Sequence, residues 1–200
     1  MAETARQLEL LAARALEQAG VRRLPVQLRQ LADWMGVPLY TYRWYAETAG
    51  ITQQEVARRF GPDGFTQQLG PRLAVFYQNR GHVGRMRWTL AHELAHILLG
   101  HLAGGDRRGQ ARAEWQADTL AAALLCPRGV VERCGCRSSS ELAALCDVSQ
   151  AAAQCRYREL WREADPPWPA SREEFIEERL LQRLEDAPVE VLPRRCSRRI

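Results

Sequence analysis

Between Trp88 and Leu99 the chain runs without a glycine or a proline, through Leu90, Ala91, Leu94, Ala95, Ile97, Leu98 and Leu99. In the middle of that apolar run stand His92, Glu93 and His96. Such a segment predicts a buried helix over 88–99, stopped by Gly100. Burying two imidazoles and a carboxylate costs free energy unless each finds a partner. Whatever the rest of the chain folds into, it has to supply those partners.

The spacing His92-Glu93-Leu94-Ala95-His96 indicates what the partner is. Residues four apart lie one turn apart on the same helix face. Two ring nitrogens can then converge on one ion at Zn–N distances of about 2.0–2.1 Å. Glu93 sits just round the helix, where it reaches a water at the metal rather than the metal, the place of a general base. The plainer alternative is a pair of core histidines bonded to backbone carbonyls.

A catalytic zinc takes three protein ligands and keeps one position open. The next helical segment, about 110–125, carries Glu114 shortly before it turns apolar at Leu120. A chain reversal at Gly104-Gly105-Asp106 would pair the two helices antiparallel and bring Glu114 to the histidines. The alternative for Glu114 is an ordinary surface carboxylate. The rival ligand is His101, five residues past His96 and beyond the stop at Gly100. Asp118, one turn after Glu114, is placed to accept the second ring N–H of a ligand histidine.

Elsewhere the periodicity predicts helices over 3–19 and after Pro25 to Met35, then an aromatic strand from Val37 to Tyr45. Aromatics interleaved with Arg43 can also stack on nucleic acid, but strand packing is the expected use. Residues 46–60 are weakly helical. Strands are expected at Phe65–Gln68 and Leu73–Gln78, and Asn79-Arg80-Gly81 is a loop in which His82 is given no role. A further helical stretch covers 139–162, and the capping pattern from Ser171 to Glu174 opens a last helix to about Glu185. The Pro188–Ile200 tail is rich in proline and arginine. The order predicts an α+β fold, mostly helical, with a small β-sheet next to the His92–His96 helix and a helical, helix-turn-helix-like C-terminal bundle. The expected division is 1–127 for the core, 128–165 for a helical subdomain and 166–200 for a proline-bounded helix and basic tail.

Two further readings limit the function. No apolar run approaches the ~20 residues of a membrane-spanning helix, and Glu3 and Glu9 stand where a signal peptide would be basic. The net charge of +4, carried by arginine without any lysine, is too slight to argue for nucleic acid. Six cysteines in a chain read as cytoplasmic are expected to be reduced. The C-x-C spacing of Cys134 and Cys136, with Cys146 and Cys155 widely separated, lacks the tight pairs of a structural zinc site.

The stretch from Trp88 through His101, followed by Glu114-Trp-Gln-Ala-Asp118 and on to Cys126-Pro127, resembles the ImmA/IrrE-type metallopeptidases, zincins of bacteria and phages. Fainter likeness runs from Leu24 to Ala32, from Leu142 to Ser149 and from Arg156 to Leu160. Ala95, Leu120 and Cys126 depart from the family pattern, which has glycine, phenylalanine and methionine there; none is a proposed ligand. The resemblance implies a zincin-like fold and a zinc metalloendopeptidase. One Zn2+ per chain would be held by His92, His96 and Glu114, with other divalent metals as alternatives. It also implies a protein partner: a helix-turn-helix repressor whose cleavage derepresses a mobile element or a stress response. The alternatives are a repressor-binding protein that does not cut, as in toxin–antitoxin-like modules, and a DNA-binding regulator. The latter would read bases from Ser149–Leu160 with Arg156 and Arg158, although that helix starts on alanines.

Overall fold

The computed structural model of the protein describes residues 4–101 and 107–161. Helix α1 (Ala5–Gln18) opens on a capping box, in which the Thr4 side chain accepts from the Gln7 amide and Gln7 reaches back to the Thr4 amide. Its apolar stripe buries Leu8, Ala12, Ala15 and Leu16. Helix α2 (Leu28–Met35) ends at Gly36, whose φ of 68° is the left-handed turn that favours glycine.

The aromatic stretch is where the expectation fails. Only β1 (Leu39–Thr41) is strand, and helix α3 (Tyr42–Ala49) begins directly after it. The cause is local: the Thr41 hydroxyl accepts from the Trp44 amide and caps a helix that buries Tyr42 and Ala46 one turn apart. The aromatics pack on one another, Tyr40 stacked on Trp44 with centroids 4.1 Å apart and Tyr45 edge-on to Phe76. Helix α4 (Gln53–Phe60) follows, with a Thr52–Glu55 capping box of its own.

Strands β2 (Gly64–Leu69) and β3 (Arg72–Tyr77) form an antiparallel hairpin, with Phe65 opposite Phe76 and Thr66 opposite Val75. β1 joins β3 in parallel, giving the order β1-β3-β2 with β2 at an edge. Alternation along β3 separates two cores. Ala74 and Phe76 join Tyr42, Val56 and Phe65 in a small aromatic cluster, while Val75 enters the main core.

Helix α5 (Val83–Leu99) is longer than expected because His82 caps it, its Nδ1 accepting from the Gly84 amide at 3.1 Å. α5 lies against β3 and β2 and packs along helix α6 (Arg107–Leu125), which in turn packs on α1. Helix α7 (Arg128–Arg133) follows. The expected helical stretch over 139–162 is two helices, α8 (Ser139–Cys146) and α9 (Gln150–Leu160), broken at Asp147, which takes φ 51°. One hydrophobic core runs through α1, α5, α6 and the buried Val131, Leu142, Cys146 and Ala153 of the last three helices. The result is an α+β fold, mostly helical, with a three-stranded sheet beside α5. The Gly104–Asp106 reversal, the helix expected from Ser171 and the tail lie outside the described residues.

Candidate metal centre

The face of α5 that meets α6 carries Leu90, Ala91, Leu94 and Ala95 into the core and leaves His92 and His96 partly buried at its margin. α6 brings Glu114 and Asp118 to the same margin. His92 Nε2 lies 3.0 Å from His96 Nε2, and Glu114 Oε2 lies 3.3 Å from the first and 3.6 Å from the second. Two nitrogens and an oxygen bound at about 2.0–2.1 Å in a tetrahedral shell stand about 3.3–3.4 Å apart. The triangle therefore has the size that a zinc-like ion needs, and among the described residues these three form the group of side chains that could hold a metal.

The proton placement agrees with that donor role. His92 Nδ1 is 2.9 Å from Asp118 Oδ1. A carboxylate only accepts, so Nδ1 carries the hydrogen and the Nε2 lone pair faces His96 and Glu114. His96 is pushed below the usual histidine pKa by burial first and by His92 second, which favours the neutral ring that can donate a lone pair. His101 is not among the converging atoms. Its Nδ1 lies 3.3 Å from His96 Nδ1, on the side of that ring away from Glu114.

Glu93 faces the sheet. Its Oε2 accepts from the Thr66 hydroxyl at 2.7 Å, a contact from the edge strand that no sequence spacing indicates. Burial raises the Glu93 pKa, and the Thr66 hydrogen bond opposes that rise. The strand comes this close because Gly64 has no side chain: a Cβ there would run into the Thr89 methyl and lie 3.1 Å from the Phe76 carbonyl oxygen. Tyr42, also near Glu93, is buried and donates its hydroxyl to the Gly61 carbonyl at 2.8 Å, so that group is committed to the fold.

A family model for the Peptidase_M78 family, described as the IrrE N-terminal-like domain, matches residues 52–157. The chain belongs to this family. The M78 match spans α4 to α9 and so includes both histidines, Glu93, Glu114 and Asp118, while the fainter likeness at Leu24–Ala32 falls outside it. It supports a metallopeptidase-type function for the domain. No curated protein matches the chain.

The α8–α9 pair is packed in a way that opposes base reading. A Cβ on Gly84 would lie 2.7 Å from the Ser149 amide nitrogen, so the N-terminal end of α9 abuts the first turn of α5. Arg156 is buried, its guanidinium bound by both Glu9 oxygens at 2.6 and 2.8 Å and by the Cys126 carbonyl at 2.9 Å. A recognition helix needs that end and such side chains free for a groove. Among the described cysteines all are free, with Cys126, Cys136 and Cys146 buried, and no described helix is long and apolar enough to cross a membrane.

Proposed function

We propose that the protein is a zinc-dependent metalloendopeptidase in which His92, His96 and Glu114 hold one zinc ion and Glu93 is the general base. The observation that carries this reading is the convergence of His92 Nε2, His96 Nε2 and Glu114 Oε2 at 3.0–3.6 Å. Bound there, zinc would supply a Lewis acid for the scissile carbonyl and lower the pKa of coordinated water to about 7. Glu93 takes the proton of the attacking water on a carboxylate oxygen and returns it to the leaving amine nitrogen. Thr66 fixes the rotamer from which it does so. Asp118 orients His92 and keeps its proton on Nδ1.

The substrate we propose is a protein, a helix-turn-helix repressor whose cleavage derepresses a mobile element or a stress response, and the site of action is the cytoplasm. Family membership supports the chemistry, and the resemblance supports the target. The test is metal analysis of the purified protein beside His96→Ala and Glu114→Ala. About one zinc per chain in the wild type, lost in both variants, is the expected result. Wild-type protein that takes up no zinc when supplied with it would overturn the reading.

A further inference from the structure

Glu114, not His101, completes the converging group at the metal centre, so the His101 ring stands beside the centre and not in it. The way α5 ends puts it there. Gly100 takes φ 70°, the left-handed turn that glycine adopts freely, and the chain folds back on the last turn of the helix. The Gly100 amide donates to the Ile97 carbonyl at 3.1 Å, and the His101 amide donates to the His96 carbonyl at 3.0 Å. The His101 ring is thereby laid against that of His96, with centroids 5.3 Å apart and planes at 68°. The two Nδ1 atoms are 3.3 Å apart. The bonds that fix this turn are made by backbone groups, so the imidazole is not needed to place residue 101.

A neutral imidazole has one N–H and one ring lone pair. Two proton orders close the hydrogen bonds around His96. In one, His96 Nε2–H donates to His92 Nε2, 3.0 Å away, and His101 Nδ1–H donates to His96 Nδ1. In the other, His96 carries its proton on Nδ1 and donates it to His101 Nδ1, whose ring then holds its own proton on Nε2. A metal ion at His96 Nε2 needs the lone pair there, so it permits only the second order. His101 then stands to His96 as Asp118 stands to His92, as the acceptor for the ring proton on the side away from the metal. A carboxylate could only accept, whereas an imidazole serves both orders and suits His96 with or without the ion.

We infer that His101 is a positioning residue for the metal centre: it accepts the His96 Nδ1 proton and so holds the His96 Nε2 lone pair and ring plane towards the ion. The inference rests on the metallopeptidase reading of His92, His96 and Glu114.

The test measures the zinc affinity of the full chain by competition with a chelator, for wild type, His101→Ala and His101→Asn. The asparagine places a carbonyl oxygen where Nδ1 stands. His101→Ala should hold zinc about 10–100-fold more weakly, and His101→Asn should return to within about threefold of wild type. Both variants should still bind about one zinc per chain at saturation. The unfolding midpoint of the metal-free alanine variant should match wild type, because the backbone bonds of the turn remain. A long-range proton–nitrogen correlation spectrum of the zinc-loaded wild type, which needs no variant, should show His96 protonated on Nδ1. Unchanged zinc affinity in His101→Ala would overturn the inference. So would an equal loss in the alanine and asparagine variants, which marks a packing role. Zinc lost from His101→Ala as completely as from Glu114→Ala would make His101 a ligand and overturn it as well, as would a His96 Nδ1 without its proton. Each of these outcomes leaves zinc bound to the wild type and the metal reading standing. Wild-type protein that takes up no zinc overturns the metal reading, and this inference falls with it.

Discussion

Two clusters in this molecule bring acidic and basic or ring groups together from different helices, and they are built in opposite ways. Glu9 of α1 and Arg156 of α9 meet in the core with side chains 7% and 4% exposed. Their two parallel bonds, with the Cys126 carbonyl on the guanidinium, match donors to acceptors inside the fold. At the metal centre, His92, His96 and Glu114 sit at the surface of the α5–α6 pair, with 20%, 15% and 48% exposure. There the Asp118 contact turns the His92 ring lone pair towards another imidazole and a carboxylate. A structural ion pair closes on itself. The His92, His96 and Glu114 group is instead one that could hold a metal ion, and Asp118 behind His92 orients that ring without closing the group on itself.

Substitutions can break this contrast, and the largest effect is expected at Glu93. Glu93→Gln keeps the shape and the Thr66 contact but removes the base. Turnover of a helix-turn-helix repressor, followed on gels over time, should fall about 10²–10⁴-fold while zinc content stays at the wild-type level. A variant that cuts as well as wild type would show that Glu93 is not the base. A non-catalytic repressor-binding protein would instead bind its partner equally with either residue.

Glu9→Ala should act on stability alone. It leaves the Arg156 charge buried without its partner, and urea unfolding should report a loss of about 3–5 kcal/mol. Zinc bound per folded chain should not change. Loss of zinc from this variant would show that the two clusters are one unit.

Asp118→Ala removes only the group behind His92. Competition with a chelator should show zinc held about 10–100-fold more weakly, with the unfolding midpoint of the metal-free chain little altered. The smallest effect belongs to Thr66→Val, which keeps the volume and deletes the hydroxyl. Turnover should drop about tenfold with substrate affinity and zinc content unchanged, and Thr66→Ser should restore it. An equal loss in the serine variant would mean that Thr66 serves strand packing only.

The helical spacing of His92 and His96, the apolar run around them and the helix carrying Glu114 were all legible in the order of residues. Amphipathic periodicity and metal-ligand spacing are short-range properties, and a helix converts them directly into shared faces. Glycines at helix ends, as at Gly36 and Gly100, were legible for the same reason. The aromatic stretch after Val37 was misread because strand propensity there is overridden by the Thr41 cap and by the packing of Tyr42 and Ala46. His82 looked like a loop residue because capping by an imidazole nitrogen leaves no compositional signature.

What the sequence determined by itself was which residue types lie one turn apart, and so that they could share a metal ion. Tertiary structure alone decided the rest. Thr66 is 27 positions from Glu93 and Arg156 is 147 from Glu9. No local pattern encodes pairs at such separations, because they exist only once a strand has been packed against α5 or a distant helix against α1. The close approach at Gly84 that seats the start of α9 on α5 follows from the same packing.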